Sequence, residues 1–178
     1  MNLKANKVSI FILILLLSVI SIDCGEKYDS GNDLYMKDGL IYKNGENKPF
    51  TGEVKGKASN KTIQYEIKDG LKDGKFIIYF PNGNVEIKGN MVKNKNEGEW
   101  SYYYSDKTLE SRGDFKNDLA DGKWEWYFQN GNLKEEGKYE DGKREGEWRS
   151  FNDDGSLYIK RYFKDNVQID SVMAKKKI

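Results

Sequence analysis

Gly122-Lys123-Trp124-Glu125-Trp126-Tyr127-Phe128-Gln129-Asn130-Gly131-Asn132-Leu133, continued by Lys134-Glu135-Glu136-Gly137-Lys138-Tyr139-Glu140-Asp141-Gly142, reads as two strands and two turns. The first seven residues are rich in aromatic side chains, alternate in their first half and stop at turn-forming residues, which is the composition of a β-strand. Asn130-Gly131 suits the two positive-φ positions of a type I′ hairpin turn. Leu133 to Tyr139 returns as the partner strand, and Asp141-Gly142 turns the chain onward. The stretch is one β-hairpin.

Outward from it, the same residues recur every 24 positions. Gly74, Gly98, Gly122 and Gly146 open the units, followed two places on by Phe76, Trp100, Trp124 and Trp148. Tyr79, Tyr103, Tyr127 and Phe151 form a further column, as do Val85, Leu109, Leu133 and Leu157. Gly89, Gly113 and Gly137 form another, which Arg161 breaks. A fixed period of this length means one supersecondary unit stacked on copies of itself, each burying a face it cannot bury alone. The expected fold is all-β: an antiparallel meander of consecutive hairpins over residues 34–169, with about ten to twelve strands of five to seven residues each. A degenerate first unit begins at Gly52, which stands 22 residues before Gly74 and is therefore two residues short.

Period-two geometry assigns the faces. Gly122, Trp124, Trp126 and Phe128 share one side of their strand, and Lys123, Glu125 and Tyr127 the other. A glycine in mid-strand leaves space for a large neighbour to lie across the backbone. The tryptophans are therefore expected to stack over Gly89, Gly113 and Gly137. The opening glycines and the Phe76–Trp100–Trp124–Trp148 column are assigned to the architecture itself.

The N-terminal region is a separate object. Lys4 and Lys7 precede an apolar run from Val8 to Ile22, the pattern of an export signal. A span of the bilayer needs about 20 apolar residues, so a retained anchor is the second reading. The single cysteine, Cys24, follows at once. Residues 1–23 read as signal or anchor, 24–33 as a tether, and 170–178 as a basic tail containing Lys175-Lys176-Lys177. An exported chain attached to the cell envelope is the expectation, with secretion as the alternative.

Removing Lys4, Lys7 and Asp23 from the 30 basic and 29 acidic residues leaves 28 of each. A nucleic-acid binder should show a basic stripe, and here the two signs alternate. The chain has no histidine, which removes Ser-His-Asp and Cys-His catalysis and histidine metal sites. Its acids recur in turns and at strand edges, as solvated charges do. The Asp-Gly turns lack the alternating oxygen ligands of a calcium loop. No catalytic residue, cofactor or metal is assigned.

The pattern Gly-x-Trp/Phe-x-x-Tyr-x-x-Asn-Gly-x-Leu-x-x-x-Gly-x-Tyr-x-Asp-Gly, opened by Pro49-Phe50-Thr51-Gly52, resembles the MORN-repeat variant found in many bacterial proteins. Cys24 after its apolar run resembles a lipoprotein signal, although Asp23 stands where that pattern wants a small neutral residue. The resemblance to the repeat implies consecutive hairpins in an elongated, twisted sheet and no shared catalytic residues. Some proteins with this repeat are labelled putative antitoxins. The function expected is a non-catalytic, envelope-tethered module that binds a protein partner or builds surface structure. A cell-wall glycan binder using exposed rings is the first alternative, and an antitoxin or immunity role the second. Tyr102, Tyr104, Trp126 and Phe128 are the expected partner-binding row, with Tyr102, Tyr104 and Trp126 exposed because they stand outside the strict columns. The chain is expected to be a monomer, with Cys24 as the lipidated residue.

Overall fold

The computed structural model describes residues 34–174. The signal or anchor, Cys24, the tether and Lys175–Lys177 lie outside the described residues. Thirteen strands follow in chain order, and no helix occurs among the described residues. β1 (Leu34–Lys37) and β2 (Leu40–Lys43) form a two-stranded sheet. β3 (Gly52–Ala58) and β4 (Lys61–Lys68) open an eleven-stranded antiparallel sheet. It continues through β5 (Leu71–Tyr79), β6 (Val85–Val92), β7 (Lys95–Tyr103), β8 (Leu109–Lys116) and β9 (Leu119–Tyr127). β10 (Leu133–Glu140), β11 (Lys143–Phe151), β12 (Leu157–Lys164) and β13 (Val167–Met173) complete it. Spatial order equals chain order from end to end. The expected meander of consecutive hairpins forms over residues 52–173, with β1–β2 as a separate sheet and with strands of seven to nine residues where five to seven were expected.

β13 corrects one expected boundary. Asp170 to Met173 belong to the last strand and not to a tail, because they pair with Tyr162, Arg161, Lys160 and Ile159. By count Val172 stands 24 places after Trp148, but the pairing slips by one residue here: Ser171 opposes Arg161 and Val172 opposes Lys160, so Val172 lies on the face away from the rings. The two residues missing from the first unit come out of its hairpin loop: Val54 pairs with Tyr65, whereas the equivalent Phe76 pairs with Gly89.

The Asn-Gly turns are not the type I′ turns expected. At the Asn-Gly loops only the glycine takes a positive φ, as at Gly131 (88°). The Gly131 N–H bonds the Phe128 carbonyl and the Phe128 N–H bonds that of Asn132, both at about the usual hydrogen-bond length. That is a type I turn followed by a left-handed residue and a bulge, a three-residue hairpin loop. The Asn130 side chain decides it, because its Oδ1 accepts from the Asn132 N–H at 2.9 Å and folds the loop locally. The I′ geometry appears instead between units, where Asp141 and Gly142 both have positive φ (47° and 79°).

The core is one face of the sheet. Trp100, Trp124 and Trp148 are 0%, 3% and 0% exposed. Each indole lies across the glycine of the preceding hairpin, Trp100 over Gly89, Trp124 over Gly113 and Trp148 over Gly137, where any Cβ would overlap the ring. The ring N–H then reaches the carbonyl beyond that glycine, as from Trp124 to Asp114 at 3.0 Å. Where the ring is smaller the glycine is dispensed with: Phe76 stacks on Tyr65, centroids 6.2 Å apart. At the far end Arg161 stands in the glycine column, and the residue opposite it on β13 is Ser171. Phe115 and Tyr139 meet the indoles edge-on at 5.1 Å from Trp124 and Trp148. The opening glycine makes this approach feasible. Between the Gly113–Trp124 and Asp114–Asp121 pairs, Gly122 (φ 73°) and Lys123 have no opposite residue on β8, so the strand bulges at each unit boundary.

Candidate functional site

The expected binding row does not stand clear of the core. Tyr102 is 2% exposed, packed on the ladder with its ring centroid 6.4 Å from that of Trp124. Burial pushes its phenol well above the usual range. Trp126 is half-buried, stacked 5.8 Å from Trp124 and tilted against Trp148 at 5.6 Å. The exposure expected from their irregular spacing is therefore wrong for Tyr102 and only partial for Trp126. The physical reason is a second row on the ring-bearing face, in which size is shared across strands. Ile78 faces Ile87, Tyr102 faces Ser111 and Trp126 faces Glu135. Ser111 is small because it lies between Tyr102 and Trp126. Neither the Tyr102 hydroxyl nor the Ser111 Oγ has a hydrogen-bond partner among the described residues.

Tyr104 and Phe128 fare differently. Both are half-buried at the hairpin-loop end of their strands, so the exposure expected of Tyr104 is also only partial. The Tyr104 hydroxyl donates to the Tyr127 carbonyl at 2.9 Å, fixing its ring across to the next unit. The Lys134 ammonium stands 5.7 Å over the Phe128 ring. Phe80, half-buried one unit earlier, makes the same loop hydrogen bond as Tyr104 and Phe128. Sequence reasoning passed over Phe80, although subtracting 24 from Tyr104 finds it. Asn152 ends the row. Successive members are two strands apart, so the rings repeat at about 9–10 Å.

The loops beside this row are laced together. Asn82 and Asn84 both donate to the Ser105 carbonyl, at 3.1 and 2.8 Å. Asn130 and Asn132 do the same to Asp153, at 2.9 and 2.7 Å. At the opposite strand ends Asn94, Asp118 and Asn166 accept from the N–H of Lys72, Asn96 and Arg144, each at 2.7 Å. The recurring acids Asp73, Glu97 and Glu145 accept the N–H of Lys93, Asn117 and Asp165. These carboxylates are turn caps. Among the described residues no group of three or more Asp, Glu, Cys or His is placed to hold a metal ion.

The face opposite the rings carries a chain of ion pairs. Arg112 and Lys123 hold Glu125 at 2.7 and 2.6 Å. Lys123 and Arg149 hold Glu136 at 3.0 and 2.6 Å, and Lys160 holds Glu147 at 3.1 Å. Desolvation raises the Glu125 carboxyl, but hydrogen bonds from Lys123, Arg112 and Tyr127 outweigh it and set the pKa at about 2. At the last unit the ring-bearing face turns polar: Arg161 reaches Ser150 at 2.9 Å and Glu135 at 3.4 Å.

The model of the MORN repeat variant family matches residues 72–93, 96–117, 120–141 and 144–165. The chain is a MORN-variant repeat protein. Each matched MORN segment starts two residues before an opening glycine and ends at the turn between units, so the family boundaries and the structural period coincide. The β3–β4 hairpin, β13 and the β1–β2 pair lie outside the matched segments. MORN repeats generally serve as protein- or membrane-interaction modules. No curated protein matches the chain.

Proposed function

We propose that this MORN-variant chain is a non-catalytic, envelope-tethered module that binds a protein partner along the Phe80–Tyr104–Phe128 row. The observation that carries this is the split between the two kinds of ring. The ladder tryptophans are consumed by the core, and the loop-end rings keep part of their surface at a regular pitch on a hydrogen-bonded scaffold. Partly exposed aromatic groups held rigidly are the usual anchors of protein interfaces. A glycan platform needs free ring faces, which the buried tryptophan column lacks, so the protein reading is favoured over the glycan one. The engagement of the repeat carboxylates as caps and ion-pair members supports a non-catalytic role. The tether rests on Lys4, Lys7, the run Val8–Ile22 and Cys24.

The test compares the full chain with Tyr104→Ser/Phe128→Ser in capture of envelope proteins, alongside thermal unfolding of both. The expected result is loss of a discrete partner by tenfold or more, with unfolding little changed. Retained capture refutes the row, and release of the bound material by soluble glycan moves the reading to the cell wall. Fatty-acid labelling that vanishes in Cys24→Ser checks the tether, and labelling that persists there overturns it.

A further inference from the structure

Each loop-end ring has a neighbour that recurs with it. Where the return strand bulges, Glu86, Glu110, Lys134 and Tyr158 fall between paired residues and oppose nothing on the preceding strand. They stand six places after Phe80, Tyr104, Phe128 and Asn152. Beside Phe128 the Lys134 ammonium lies 5.7 Å over the ring, so a cation of the chain itself fills that place. Beside Phe80 and Tyr104 the same place holds a carboxylate. Neither carboxylate is fully matched. Glu86 gives Oε1 to Lys61 at 2.7 Å, but its Oε2 is buried with no hydrogen-bond partner among the described residues. Glu110 is half-buried and has neither ion pair nor hydrogen bond among them. Burial pushes its carboxyl up, with Lys134 opposing the rise and Glu86 adding to it. Burial, then the charges of Glu110 and Asp106, raise the Tyr104 phenol as well. The other repeat acids contrast with these two: Glu97 and Glu145 cap turns, and Glu125 and Glu136 are held by ion pairs. A carboxylate drawn out of water without a partner is costly.

We infer that the protein partner presents lysine or arginine side chains to this row, one on the Tyr104 ring against Glu110 and one on the Phe80 ring against Glu86. This rests on the reading of the row as a protein-binding site and gives that partner its charge. A cation over an aromatic face gains most where water is displaced, and a carboxylate beside the ring adds a direct attraction. Lys134 on Phe128 is the chain's own instance of the contact. Rings about 9–10 Å apart are too far separated to cage one small quaternary ammonium. An extended segment advances about 3.3 Å per residue, so basic residues three apart along it match the pitch. Lys134 sets the direction of the segment: its basic stretch lies at Phe80 and Tyr104, and an apolar or acidic residue meets Phe128. The two carboxylates repel an anionic polymer or lipid surface from the same place.

The test uses the detergent-solubilised full chain with an arginine–serine peptide, a glutamate–serine peptide and tetramethylammonium as probes, and thermal unfolding of every variant. The arginine peptide is expected to bind the parent chain and to bind Glu86→Gln/Glu110→Gln at least tenfold more weakly, with unfolding nearly unchanged. Lys134→Gln is expected to bind it at least as tightly as the parent. Should Glu86→Gln unfold the chain by releasing Lys61, Glu110→Gln alone decides. Equal binding of the two peptides, or tetramethylammonium binding as tight as that of the arginine peptide, overturns the inference. Capture of the envelope partner separates the two readings. Loss with Tyr104→Ser/Phe128→Ser but not with Glu86→Gln/Glu110→Gln overturns the basic partner and leaves the row standing, whereas capture retained by both variants removes the row and this inference with it.

Discussion

Gly113→Ala tests the packing rule that sets the repeat. The added methyl would sit inside the Trp124 indole, and the ring has nowhere to retreat. Phe115 meets it edge-on at 5.1 Å, Tyr139 at 6.1 Å, and Trp126 stacks on it at 5.8 Å. Overpacking a filled site costs about 1–3 kcal/mol, and confinement on three sides puts this case near 3. Trp124→Phe alone removes part of the buried ring and the hydrogen bond to Asp114, together about 2 kcal/mol. Additive behaviour would put the double variant near 5 kcal/mol. The chain already carries the relieved arrangement, because Phe76 lies against Tyr65 where its tryptophan counterparts need glycine. The double variant is therefore expected near the cost of Trp124→Phe alone, a coupling of about 3 kcal/mol, at the top of the range for residues in contact. Urea unfolding followed by both fluorescence and far-ultraviolet dichroism measures all four corners of the cycle. Strict additivity, or a neutral Gly113→Ala, would refute the reasoning.

Ser111→Ala and Tyr102→Phe each remove a buried hydroxyl that has no partner among the described residues. Both are expected to be neutral or to stabilise by up to about 1 kcal/mol; a loss above that in thermal unfolding would show the hydroxyls are hydrogen-bonded. The pKa of Glu125, about 2 in the fold against an ordinary 4.5, makes its contribution complete above about pH 4.5 and lost as the pH falls toward 2. Glu125→Gln should flatten that part of the stability profile, and an unchanged slope would assign the acid sensitivity elsewhere.

The period and its glycines were legible because they answer to steric rules that admit one residue. Only glycine fits beneath an indole, so Gly89, Gly113 and Gly137 mark the tryptophan ladder in the sequence itself. Tyr102 was misread for the opposite reason. Its position accepts Ile78, Tyr102, Trp126 or Ser150 because the strand opposite adjusts, and irregular spacing looked like exposure. The turns were misassigned because Asn-Gly fits two hairpin geometries, and a side-chain hydrogen bond selects between them. β13 escaped notice because its column residues lose the aromatic character that marked the others. Phe80 needed only the period.

Because spatial order follows chain order without a crossover, residues 52 and 173 lie at opposite edges of the large sheet. A force applied between them loads the ladder hydrogen bonds one pair at a time instead of shearing them together. Such a sheet yields by peeling from an edge, hairpin by hairpin, and each released unit of 24 residues adds about 80 Å of extended chain. A module built this way, held at one end and gripped at the other, would lengthen in steps under load and re-form the same steps when the load is removed.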